Sequence, residues 1–156
     1  MQKRRDFIFN SGALLLGSLA IPSLQAFAAE GAKAKGGKSP SAAAVKEVLE
    51  SAAECLRTGE KCLAHCEREL AKGNTSMANC QKRVREMMAL IRPLMTLAAS
   101  DSEYLSKLAA ICAEACKTCG EACAEHKEHF AHGMHIECKE CMEACQRCEK
   151  ACRKLI

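Results

Sequence analysis

Two stretches decide the fold, CAEACKTCGEAC at residues 112–123 and CKECMEACQRCEKAC at residues 138–152. Together they hold nine of the thirteen cysteines. In the first, Cys112, Cys116, Cys119 and Cys123 step by 4, 3 and 4; in the second, Cys138, Cys141, Cys145, Cys148 and Cys152 step by 3, 4, 3 and 4. Alternating steps of three and four trace one face of an α-helix, since at about 100° per residue each row stays within a stripe of about 90°. The two rows also mirror each other. A hairpin turning near residues 130–131 sets Cys123 against Cys138, Cys119 against Cys141, Cys116 against Cys145 and Cys112 against Cys148. The pattern predicts two antiparallel helices that face each other through a ladder of thiols.

The rest of the chain supplies two more helices. Helix 1 is expected from Ser41, a suitable N-cap, to Lys72, where Gly73 and Asn74 stop it. Val45, Leu49, Ala52, Cys55, Gly59, Cys62 and Cys66 mark its inner face. Helix 2 is expected from Thr75 to Ala99, bent by Pro93, with Cys80, Val84, Met87, Ile91 and Leu94 inward. Helix 3 follows a capping signal at Ser100 and Asp101 and runs to about Phe130; helix 4 runs from Met134 to Lys154. Short connections predict an all-α fold, an up-down-up-down antiparallel four-helix bundle with a Cys-lined core. Matching the remaining faces pairs Cys55 with Cys152, Cys62 with Cys145 and Cys66 with Cys141 between helices 1 and 4. Between helices 2 and 3 it pairs Cys80 with Cys119, Met87 with Cys112 and Met77 with Cys123, and between helices 1 and 2 Cys66 with Cys80. Leu49, Leu94, Leu105 and Leu155 would plug one end. His126, His129, His132 and His135 gather at the other.

Residues 1–28 read as a signal peptide. Lys3-Arg4-Arg5-Asp6-Phe7-Ile8 resembles the twin-arginine export motif, an apolar core over residues 13–21 is too short to span a bilayer, and Ala26-Phe27-Ala28 suits cleavage. The protein is therefore expected outside the cytoplasm, periplasmic or otherwise extracytoplasmic, with no membrane attachment once the leader is cut. Residues 29–41, rich in Gly, Ala and Lys, read as a flexible lead-in, and residues 42–156 as the bundle domain. Net charge is +4, two of it from Lys3, Arg4, Arg5 and Asp6. The remainder is a mixed, solvated surface that does not suit nucleic acid.

Thirteen inward thiols are more than packing explains, and an odd number on helical spacing does not suit a closed disulfide framework. Cys also fills less space than Leu, so a thiol core leaves room for a guest. A thiol that ligates a metal is deprotonated, and buried thiolates need neutralising almost one for one. Cu(I) is soft and singly charged, so about one ion per thiolate leaves a neutral core. Zn²⁺ in a Cys₄ site leaves two negative charges per ion, and Fe–S clusters gather four thiolates at one place. A zinc or heavy-metal sequestering protein of metallothionein type stays open as an alternative. So does a thiol-disulfide oxidoreductase, although no one cysteine is set apart from the other twelve. Met87, Met88 and Met95 sit at core spacing and read as packing.

With its twin-arginine leader, four helices and thirteen inward cysteines (Cys55, Cys62, Cys66, Cys80, Cys112, Cys116, Cys119, Cys123, Cys138, Cys141, Cys145, Cys148 and Cys152), the chain resembles the exported members of the bacterial copper storage protein family. The resemblance implies a four-helix bundle that stores many Cu(I) ions without catalysis and assembles as a tetramer. It also implies extra Cu(I) ligands at the open end, for which His65, Met77, His126, Met134 and His135 are the matching positions.

Overall fold

In a computed structural model, which describes residues 40–156, four α-helices form the predicted bundle. They are α1 (Ala42–Ala71), α2 (Ala78–Ala99), α3 (Leu105–Ala124) and α4 (Ile136–Arg153). Short 3-10 segments, Thr75–Met77 and Lys127–His132, precede α2 and follow α3. Each helix packs on two neighbours: α1 on α2 and α4, and α3 on α2 and α4. The expected signal peptide over residues 1–28 and nearly all of the lead-in lie outside the described residues. Among the described residues no helix is long and apolar enough to cross a membrane.

Ser41 caps α1 as its sequence suggests, its Oγ accepting from the Ala44 N–H at 3.2 Å. Gly73, at φ +88°, takes the left-handed backbone that turns the chain out of α1. Helix 3 departs from expectation at both ends. The Ser100–Asp101 signal makes no side-chain cap; the helix begins at Leu105, and Ser102 Oγ instead accepts from the Tyr104 N–H. It stops at Ala124, and the remaining residues tighten into 3-10 turns that carry the histidines. Helix 4 starts two residues later than Met134, after His135 adopts a left-handed φ of 53°.

All thirteen cysteines lie fully buried along the axis. Val48, Leu94, Leu105 and Leu155 are buried at the end where α1 begins and α4 finishes, while Leu49 only lines the core's edge. Val48 thus replaces Leu49 in the expected plug.

The register between α3 and α4 is as predicted, with Cys119 and Cys141 Sγ 4.0 Å apart. Cys66 and Cys80 fall in one cluster, also as predicted. The α1–α4 register is not. Cys55 meets Cys145 at 3.6 Å and Cys62 meets Cys138 at 3.6 Å, so α4 is slipped by a heptad from the expected pairing. Cys152 accordingly falls level with Val48 rather than Cys55. A heptad slip returns the same face to the partner, so thiol spacing alone does not choose between the two registers. Charges outside the tube fit the observed one, with Lys154 Nζ 2.6 Å from Glu47 and Lys61 Nζ 3.4 Å from Glu140. Helix 2 is shifted against α3 by about one turn. Cys80 meets Cys123 at 3.5 Å rather than Cys119, and Cys112 donates to the Leu90 carbonyl rather than facing Met87.

Candidate metal centre

The sulfurs form connected groups. Sγ atoms of Cys62, Cys66, Cys80 and Cys138 lie within 4.8 Å of one another, as do those of Cys62, Cys123 and Cys141, of Cys119, Cys141 and Cys145, and of Cys55, Cys116 and Cys145. Consecutive groups share a thiol: Cys62 joins the first to the second, Cys141 the second to the third, and Cys145 the third to the fourth. The result is one continuous path along the bundle. Cys112, Cys148 and Cys152 continue α3 and α4 toward the apolar end, where Cys148 neighbours Cys116 and Cys152. No cysteine is disulfide-bonded.

Burial sets the protonation state. It pushes the Cys112 thiol up to about 12, with the nearby Cys148 and Cys55 adding to the effect. Deeper in the tube the thiols hydrogen-bond to one another. Cys62 is held well above an ordinary thiol, its contact with Cys123 being the leading cause. Cys80 is held down by its sulfur contacts with Cys123 at 3.5 Å and Cys138 at 4.0 Å. Burial thus disfavours ionisation along most of the hydrogen-bonded tube, and a protonated thiol that takes a cation gives up its proton.

Histidines line the other end. His65 Nε2 lies 2.7 Å from His135 Nδ1; in sequence His65 directly precedes Cys66, and His135 lies three residues before Cys138, both cysteines of the first thiol group. Glu137 Oε2 stands 3.5 Å from His65 Nδ1 while its other oxygen meets Arg68 at 3.2 Å. A proton on His65 Nδ1 facing Glu137 leaves Nε2 as an acceptor for the His135 N–H. His126 and His129 each place a ring centroid 5.5 Å from that of His135. His126 is buried, and its Nε2 has no hydrogen-bond partner among the described residues. Burial, followed by the surrounding His65, His126 and His129, lowers the His135 pKa.

The structure therefore brings His65, His126 and His135 together at the mouth. Met77 is fully buried in the 3-10 turn before α2, three residues ahead of Cys80, which meets Cys123. Met134 is 47% exposed, and its N–H donates to the His129 carbonyl at 3.2 Å. Glu137 was not singled out from sequence, because its reach to His65 depends on the α1–α4 register.

Comparison with known proteins now bears on this thiol path. The copper storage protein family, Csp, matches residues 41–156. The chain belongs to the copper storage protein family. Two solved structures of the family share its fold. One is the Cu(I)-bound copper storage protein BsCsp3, 23% identical, with a TM-score of 0.62 over 72% of this chain and 97% of that one. The other is the copper storage protein Ccsp from Streptomyces lividans, loaded with 10 copper equivalents, 25% identical, with a TM-score of 0.62 over 72% of this chain and 83% of that one. No match is found among curated proteins. The copper storage fold thus accounts for a four-helix bundle whose core carries thirteen cysteines along its axis.

Proposed function

We propose that this copper storage protein holds Cu(I) at about one ion per cysteine, with all thirteen thiolates as ligands. The observation that carries this reading is the sharing of Cys62, Cys141 and Cys145 between neighbouring groups. A thiolate that belongs to two groups can bridge two ions, which suits many singly charged ions in a row. Discrete Zn–Cys₄ sites would need separate sets of four ligands, and each would leave two buried negative charges. A thiol oxidoreductase would need an exposed thiol of low pKa beside a resolving partner, whereas every cysteine here is buried. The protein acts by binding and release, without catalysis.

Ions enter at the histidine end. His65, His126 and His135, with Met77 and Met134 beside them, form a neutral donor set that hands Cu(I) to Cys66 and Cys138. The opposite end is sealed by Val48, Leu94, Leu105 and Leu155. Replacing His65 and Met77 should slow Cu(I) uptake and release while leaving capacity nearly unchanged. Stopped-flow transfer from a Cu(I) chelator reads both; equal loss of capacity with unchanged rates would rule out this route.

The twin-arginine-like leader supports export, and folding before export would bury the thiols while they are still reduced. The family resemblance supports a tetramer. Fractionation of cells and light scattering of the purified protein test these two points; a cytoplasmic protein, or a monomer, would count against them.

A further inference from the structure

Helix 2 gives the tube a single thiol, Cys80, yet its inner face runs the full length of the sulfur path. One heptad further on stands Met87, fully buried. Its Sδ lies 3.4 Å from Cys55 Sγ, and Cys55 belongs to the group with Cys116 and Cys145. The neighbouring wall, α1, is shaped to admit it. A Cβ built on Gly59 of α1 would lie 3.0 Å from Met87 Cε, and 3.2 and 3.3 Å from Cγ and Sδ of Met88. A mid-helix glycine costs about 1 kcal/mol relative to alanine. Here it opens a notch that seats the thioether beside a thiol rather than leaving it at the edge of the core.

We propose that Met87 is an interior copper ligand, a neutral sulfur that completes the Cys55–Cys116–Cys145 site from the one wall that has no cysteine at that level. The proposal rests on the Cu(I)-storage reading. Thioethers are soft donors suited to Cu(I), and they add no negative charge. Met87 therefore gives an ion near Cys55 another bond without a further thiolate to neutralise in a dry core. Leu conserves the volume of Met and tests the sulfur rather than the packing.

The test is X-ray absorption at the selenium edge of selenomethionine-labelled, Cu(I)-loaded protein. All samples, called M77L below, carry both M77L and M134L, so that selenium near the mouth does not contribute. M77L protein should show copper at bonding distance from selenium, and M77L/M87L protein should lose that shell while binding Cu(I) at its thiols. No copper around selenium in M77L protein overturns the proposal without needing the second variant. So does a copper shell that persists undiminished in M77L/M87L. A protein that takes up no Cu(I) at all overturns the storage reading, and this inference with it.

Discussion

At the scale of single residues, the thiols are not equivalent. Cys62 touches Cys80, Cys123 and Cys138 at 3.6–4.0 Å and joins two groups, whereas Cys112 hydrogen-bonds a backbone carbonyl and joins none. Cys62→Ser should therefore lower the copper bound at saturation more than Cys112→Ser does, as read by titration against a chelator of known affinity. Because burial keeps thiols such as Cys112 protonated near neutral pH, each ion bound should release about one proton. A pH-stat titration of weakly buffered apo protein measures that ratio; no proton release would mean that the tube was already ionised. The His135 pKa lies below the ordinary histidine value of 6.5. Above that pH the group is neutral in both folded and unfolded chains and has no effect. As pH falls below 6.5 the unfolded chain takes up the proton first, so the apo bundle loses stability until the folded-state pKa is passed. His135→Asn keeps a residue that tolerates the left-handed backbone and should flatten that acid-side loss in a series of urea melts.

At the scale of the helices, the periodicity of the cysteines left little freedom about which face of each turns inward. Steps of three and four identify a helix and its buried stripe together, so the fold class, the burial of all thirteen thiols and the α3–α4 pairing could be read before any coordinates. A short hairpin ties α3 to α4 and fixes their register. Helices 1 and 4 have no such tether, and a face that repeats every seven residues looks the same after a heptad slip. The deciding contacts, Glu47 with Lys154 and Lys61 with Glu140, lie on the surface, where many charges offer equally good pairings. Glu47→Lys and Lys154→Glu should each cost about 0.5 kcal/mol, and the double swap should recover it. The two internal glycines separate packing from propensity. A Cβ on Gly120 meets nothing closer than 3.7 Å, so Gly120→Ala should stabilise the apo protein by about 0.5–1 kcal/mol. Gly59→Ala should gain less or lose, because Met87 and Met88 occupy the space. Thermal melts of the two variants side by side check the difference.

At the scale of the whole molecule, the bundle is a closed vessel. One end is sealed by apolar side chains, the wall is lined with sulfur, and the other end carries the imidazoles of His65, His126, His129 and His135. The sequence showed both ends by composition, Leu at one and His at the other. The His65–His135 contact and its Glu137 support emerged only with the register. A ligand that binds the folded tube and not the unfolded chain stabilises it, so Cu(I) loading should raise the melting temperature in step with the copper bound. The most direct measurement is an anaerobic titration of the fully reduced protein with Cu(I), in competition with a chromophoric chelator and with a thiol count on the same sample. A path of shared thiolates predicts tight binding up to about one ion per cysteine, near thirteen per chain. Saturation at one to four ions would contradict it and point instead to a few discrete sites.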